Sequence, residues 1–215
     1  DTWEDRPDYV VLIRDVSGNI AIPTDANYND YNYTQLAGND VLGDIYIGRI
    51  SVSETAQFLA YTSKLFFYER DLVLSSATWM NKMLLVGDTA SSGISTIYTN
   101  RYIRDMSEAV NPSYTYTEMY QNNPSYLTMN SNLAAGVEIF NFRGWMGMSN
   151  WNSESNINSI SNFNRPYHAV MITCATGSFG DGLSGTETVI RTGTDSQIKG
   201  GITAIGMATT STHTP

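Results

Sequence analysis

The sequence predicts an α/β protein: a mostly parallel sheet flanked by helices, divided into two subdomains. Three observations carry this reading. Short apolar runs of strand length alternate with longer segments of helical period, the pattern of successive βα units. The runs are continuous rather than alternating, as in 82-KMLLVG-87 and 169-AVMITC-174, so both faces of these strands should be covered. With 215 residues, 41% of them hydrophobic, the chain can build a real core in one large or two small domains.

The elements follow in order. Residues 8-DYVVLI-13 and 44-DIYIGRI-50 read as strands, separated by the Asn- and Asp-rich loop or hairpin 25–40. The segment 53–70 reads as a helix, with Ser53 as N-cap and Ala56, Leu59, Ala60, Ser63 and Phe67 along one face. The segment 70-RDLVLSSATW-79 after it is the expected subdomain boundary, dividing 1–75 from 76–215. Strand 82–87, helix 94–109, a short strand in 114-YTYTEMY-120 and helix 125–135 closed by Gly136 come next. Strands 137-VEIFNF-142, 169-AVMITC-174 and 201-GITAIGM-207 complete the sheet, with a helix around 184–193 joining the last two.

Composition excludes several function classes. Lys and Arg number 12 against 21 Asp and Glu, a net charge of −9, and no basic cluster occurs. Nucleic acid rewards the opposite balance, so it is not an expected partner. No run approaches the roughly 18 apolar residues of a membrane span. The start, DTWEDRPDYVV, carries no initiator Met or signal peptide and reads as a processed or trimmed product. A single cysteine, Cys174, allows neither an internal disulfide nor a cysteine-based metal site.

Two motif matches fail on context. The segment 180-GDGLSG-185 fits G-x-G-x-x-G, but it does not follow its strand directly and the next strand ends without a carboxylate, so a surface turn is the better reading. The run around Asp25 and Asp30 resembles the start of a calcium loop, but Asp30 and Leu36 stand where an EF-hand needs Gly and Glu. An irregular structural calcium site involving Asp25, Asp30, Asp40 or Asp44 stands as the alternative to ordinary turn chemistry; no cofactor is required.

The informative residues sit after two strands. Cys174 opens into Ala175-Thr176-Gly177, a turn whose glycine lets backbone N–H groups face a substrate. The other strand opens into 144-GWMG-147 and then Met148 and Trp151. Strand carboxyl ends of a parallel sheet share one edge, where ligands bind. His168 begins the strand that ends in Cys174, which places it roughly 20 Å away at about 3.3 Å per residue. His213 follows the last strand and should emerge on the same edge as Cys174.

Together these pieces resemble the catalytic domain of the gingipains and related secreted bacterial cysteine peptidases, which has a caspase-like fold. The likeness runs through 9-YVVLIRD-15, 38-GNDVLGDIYIGRIS-51, 66-FFYER-70, 78-TWMNKMLLVGD-88, 136-GVEIFNFRGWMG-147, 173-TCATGSF-179 with Glu187, and 201-GITAIGMATT-210. In that family one strand end carries Gly-His-Gly, whose His is the general base, and the other carries the nucleophile in Cys-x-x-Gly-x-Phe. Cys174, Gly177 and Phe179 match the second motif. Gly144 and Gly147 resemble the glycines of the first, but Trp145-Met146 stands between them where one His is expected. Of the acidic residue that orients that His, only Asp88 is a candidate.

The resemblance implies a secreted or cell-surface location, peptide or protein partners and bound calcium, with further sheet elements before Asp1 and after Pro215. Trp and Met move no protons, and a cysteine peptidase needs a base both to form the thiolate and to protonate the leaving amine. The favoured expectation is therefore a domain without peptidase activity, kept as a peptide-binding or structural module, with Trp145, Met146, Met148 and Trp151 lining an apolar cleft or closing it as core. The rival is a working endopeptidase that uses Cys174 with an unexpected base such as His213. Whether the chain is an enzyme stays open at this level.

Overall fold

The computed structural model describes residues 7–24, 30–72, 77–180 and 182–208. Strands β1 (Tyr9–Ile13) and β2 (Tyr46–Ile50) pair in parallel as a two-stranded sheet. Strands β3 (Lys82–Asp88), β4 (Thr115–Gln121), β5 (Ile139–Arg143), β6 (Tyr167–Ile172) and β7 (Gly201–Gly206) form a second sheet in the order β4-β3-β5-β6-β7, every pair parallel. The predicted α/β class and parallel sheet are thus observed.

The continuous apolar strands lie where continuous burial is needed. In β3, Leu84, Leu85 and Val86 are fully buried, and β5 buries Phe140 and Phe142. Helix α2 (Ser95–Val110) packs on β3 and β5, and its buried Asn100 donates to the Val86 carbonyl and accepts from Asn141. The main core gathers Met129 and Leu133 of helix α3 (Tyr126–Ala135), Ile157 of helix α4 (Glu154–Asn158) and Val189 of helix α5 (Gly185–Arg191) around Phe140, Tyr167 and Met171. Gly136 ends α3 at φ 96°, a left-handed stop that only Gly adopts without strain. A side chain there would also strike Trp79 and Arg165.

Several local expectations need correction. Ser53 does not cap helix α1 (Thr55–Phe66); its backbone N–H and hydroxyl both bond to the Gln57 side chain, and the helix begins after Glu54. The buried positions of α1 are Ala60 and Lys64, whereas Leu59 is exposed, so the predicted apolar face is rotated. Burial of a lysine hides that face from a hydrophobicity count. The helix continues as a π-turn (Phe67–Asp71). β6 begins and ends two residues earlier than expected, which puts Cys174 in the following turn. The short α4 had no apolar period long enough to mark it. Of the 25–40 segment, 25–29 lie outside the described residues and Tyr31–Thr34 forms a 3-10 turn. Within the boundary segment 70–79, residues 73–76 likewise lie outside the description.

Charged and polar contacts join the two-stranded sheet to α5. Arg191 donates to Asp15 just beyond β1 (2.9 Å), to Glu187 (2.7 Å) and to the Ser51 carbonyl just beyond β2 (2.8 Å). Glu187 also accepts from the Ser184 N–H while Ser184 caps the helix, a reciprocal capping box. The turn before α5 is therefore a cap, in keeping with its reading as a turn; Asp181 within it lies outside the described residues. Lys64 runs from α1 to the same region, its buried ammonium donating to the carbonyls of Ile190, Thr192 and Gly201. Among the described residues, no helix is long and apolar enough to cross a membrane.

Candidate functional site

The parallel register brings the carboxyl ends of β5 and β6 side by side, with Arg143 opposite Ile172. The chain leaving each strand is stitched to the other. The Arg143 guanidinium donates to the Ile172 carbonyl (2.7 Å), and the Thr173 hydroxyl donates to the Gly144 carbonyl (2.8 Å). Gly144 and the residue before Cys174 are thus held together by a buried bond.

Cys174 is 8% exposed, in a turn closed by the Thr176 hydroxyl, which reaches the Met171 and Thr173 carbonyls. Ala175 takes the left-handed conformation at φ 57°, strain that sharpens the turn directly after the thiol. The Gly177 N–H donates to the Met207 carbonyl, and any side chain on Gly177 would meet the Gly206 backbone at 2.8 Å. Glycine is needed here so that the cysteine loop can lie against the end of β7.

The facing loop divides its apolar residues. Trp145 (53% exposed) and Met146 (37%) stand at the surface. Met148 and Trp151 are fully buried, so they belong to the core and do not line a cleft. The Trp151 ring packs on Phe140 at 4.9 Å, and its indole N–H donates to the Asn130 side chain (2.8 Å). Between these residues the chain makes a left-handed turn: Met148, Ser149 and Asn150 have φ of 47°, 53° and 70°. Such residues cost about 1–2 kcal/mol each outside glycine. Anchors on both sides hold the turn, and one of them is Asp88.

Asp88 ends β3, is nearly fully buried, and lies against Gly144, where an added Cβ would touch its own Cβ at 2.8 Å. One carboxylate oxygen accepts from the Ala90 and Asn123 N–H groups, and the other accepts from the Ser149 hydroxyl at 2.7 Å. The acid candidate therefore faces the predicted loop, and its side-chain partner there is a serine. Sequence reading did not single out Ser149 or Thr173, because a hydroxyl in a loop carries no periodic or motif signal. Gly147 has open space around its α-carbon and is not required by packing.

The histidine among the described residues is placed elsewhere. His168 bonds Tyr68 (2.9 Å) and Thr203 (2.8 Å), near the start of β6 and far from its carboxyl end. Burial lowers the pKa of its imidazole, while the Glu138 carboxylate works in the opposite direction. His213 lies outside the described residues. The described carboxylates considered for calcium have protein partners: Asp30 pairs with Arg49 (2.6 Å), Asp44 accepts from the Leu36 and Ala37 N–H groups, and Asp40 from that of Leu42. Asp25 lies outside the described residues, and among those described no three His, Cys, Asp or Glu side chains are grouped to hold a metal.

This arrangement puts a thiol in a glycine-bearing turn beside the end of a neighbouring strand, the layout of a nucleophile position at a parallel sheet's carboxyl edge. Solved structures share this fold. The crystal structure of the Arg-specific cysteine proteinase gingipain R superposes with a TM-score of 0.75 at 20% identity, over 91% of this chain and 47% of that one. The complex of Porphyromonas gingivalis RgpB pro- and mature domains gives 0.69 at 21% identity, over 92% and 48%. A further protease structure gives 0.70 at 22%, over 93% and 45%. The chain thus spans a little under half the length of the structures it resembles, and the likeness is one of fold. No curated protein matches the sequence. The sequence model of peptidase family C25 matches residues 1–215, so the chain belongs to peptidase family C25.

Proposed function

We propose that this domain binds peptides without hydrolysing them, and that Trp145 and Met146 are its contact residues, as part of a secreted or surface protein. The observation that carries the reading is the loop from Gly144 to Trp151. It presents a large aromatic and a thioether beside the cysteine turn, on a turn pinned by Ser149, Met148 and Trp151. Neither exposed side chain can accept or return a proton. A rigid aromatic at a surface is the usual anchor of a peptide contact, because little side-chain entropy is lost when it binds. The extracellular setting is supported by the family resemblance and by a chain rich in Asn, Ser, Thr and Tyr with only 15% charged residues.

The test is selection from a random heptapeptide display library on the immobilised chain, followed by mass spectrometry of each selected peptide after incubation. The expected result is a set of peptides that remain intact and bind Trp145→Ala about tenfold more weakly, in line with loss of one aromatic anchor. Cleaved peptides, no enrichment, or binding indifferent to Trp145 would overturn the proposal. Cleavage abolished by His213→Ala would instead establish the peptidase reading.

A further inference from the structure

The seam between the ends of β5 and β6 carries a charge without a counter-charge. Arg143 closes β5, is half-buried, and among the described residues makes one hydrogen bond, from its guanidinium to the Ile172 carbonyl (2.7 Å). A guanidinium has five N–H donors in a planar fork, so most of this one is unused. Arg49, Arg70, Arg104 and Arg191 each pair with a carboxylate; among the described residues Arg143 does not.

The sheet geometry explains why. Asn141, two residues before Arg143, bonds Asn100 of α2, so alternation along β5 turns Arg143 to the same face as that helix. Its register partner in β3 is Gly87, where an added Cβ would meet the Thr96 carbonyl at 3.2 Å. Arg143 therefore leaves the sheet beside the first turn of α2. That turn adds partial positive charge, since no side chain caps it and no acidic residue stands in it. Asp88, next to Gly87 in β3, points to the opposite face, and its oxygens are taken by Ala90, Asn123 and Ser149.

Position makes this charge a matter for a ligand. Trp145 stands two residues after Arg143, and the carbonyl that Arg143 holds belongs to the residue two before Cys174. An extended peptide that touches both the Trp145 loop and the cysteine turn crosses the guanidinium. The chain as a whole carries −9, which taken alone would favour basic ligands. Screening decides against that. Beyond about 8 Å at physiological salt exposed charges are largely damped, so the local cation sets the preference. A carboxylate answers the guanidinium fork with two parallel hydrogen bonds.

We propose that Arg143 selects peptides that place an Asp or Glu side chain next to the residue bound by Trp145 and Met146. The proposal rests on the peptide-binding reading above and adds the chemical class of the peptide. Arg143 determines specificity through its remaining N–H groups, while its bond to the Ile172 carbonyl keeps the fork at the seam.

The experiment uses the whole chain and pools of N-acetylated, C-amidated pentapeptides. Each pool is fixed as Glu, Gln or Lys at one position and mixed among uncharged residues elsewhere, so that the fixed Glu is the sole carboxylate. Two NMR signals are followed, the indole N–H of Trp145 and the Nε–H of Arg143, which report the two contacts separately. The expected result is that Glu pools shift both signals and bind about tenfold more tightly than the matching Gln pools, with Lys pools weakest. In Arg143→Gln, whose amide can still donate to the Ile172 carbonyl, that preference should fall below about twofold, while Arg143→Lys should keep part of it. Glu and Gln pools that bind equally while shifting Trp145 overturn the proposal and leave the peptide-binding reading standing. A Glu preference that survives in Arg143→Gln overturns it too, by placing the selectivity on another group. No shift of Trp145 with any pool sinks both.

Discussion

The hydroxyl of Ser149 donates to the carboxylate of Asp88 at 2.7 Å, across the junction of β3 with the loop that follows β5. This bond ties a buried acid at the end of one strand to a left-handed turn at the end of its neighbour. Its consequence is positional. With Asp88 held by two backbone N–H groups on its other oxygen, the serine cannot shift without leaving a buried carboxylate oxygen unbonded. The loop that displays Trp145 and Met146 is therefore fixed from below.

Ser149→Ala should accordingly destabilise the chain by about 1–3 kcal/mol, the cost of a buried charged acceptor losing its donor. Ser149→Gly removes the same bond but relieves the strain of φ 53°, so its loss should be smaller. Urea denaturation of the three proteins orders them as wild type, Gly, Ala. Equal stabilities of the Ala variant and wild type would show that the bond holds nothing.

Lys64 carries a second, pH-dependent prediction. Its ammonium is buried against three carbonyl oxygens, and burial pushes its pKa down to about 7 from the ordinary 10.5. Between these values the unfolded chain binds more protons than the folded one, so stability rises with pH across the window from about 7 to 10.5. The slope attributable to this group is at most about 1.4 kcal/mol per pH unit. Lys64→Met lacks that slope and leaves three buried carbonyls without a donor, at a cost of several kcal/mol by the usual penalty of about 1–3 kcal/mol for each orphaned group. Unfolding free energies of both proteins at pH 7, 8 and 9 check this: the gap in favour of wild type should widen with pH. A gap that stays constant would place the lysine's titration outside the window.

Arg191→Met tests what joins the two-stranded sheet to α5. Removing the guanidinium leaves the buried carboxylates of Glu187 and Asp15 facing each other without a cation. Breaking one side of a buried ion pair costs about 3–5 kcal/mol. Adding Glu187→Gln to Arg191→Met should recover part of the loss, which a double-mutant cycle in thermal or chemical denaturation measures. Additive losses would mean that the two residues act independently.

The sequence announced the fold through its strands. The run from Met83 to Val86 is apolar at every position because helices cover both faces, and that pattern is legible in a single sequence. Helix α1 was legible in extent but not in face, because its most buried side chain is a lysine whose partners, the carbonyls of α5 and β7, lie more than a hundred residues away. The site was half legible. Glycines beside Cys174 and after β5 marked two strand ends. Trp151 and Met148 looked the same in sequence as Trp145 and Met146, yet one pair is core and the other surface. A left-handed turn between them decides this, and it is built from Met, Ser and Asn rather than from residues that signal such a turn. Ser149 and Thr173 acquire their roles only when the sheet brings distant strand ends together.

The central claim is that the loop after β5 supplies contact and not proton transfer. Its most direct measurement is the rate of Cys174 alkylation by iodoacetamide in the folded chain at neutral pH, set against the same thiol in the urea-unfolded chain. An activated nucleophile reacts faster folded than unfolded, because a paired base raises its thiolate fraction. The account predicts that folded Cys174 reacts no faster than unfolded Cys174. Alkylation about tenfold or more faster in the folded chain, lost on His213→Ala, would contradict it and make the domain a working cysteine peptidase.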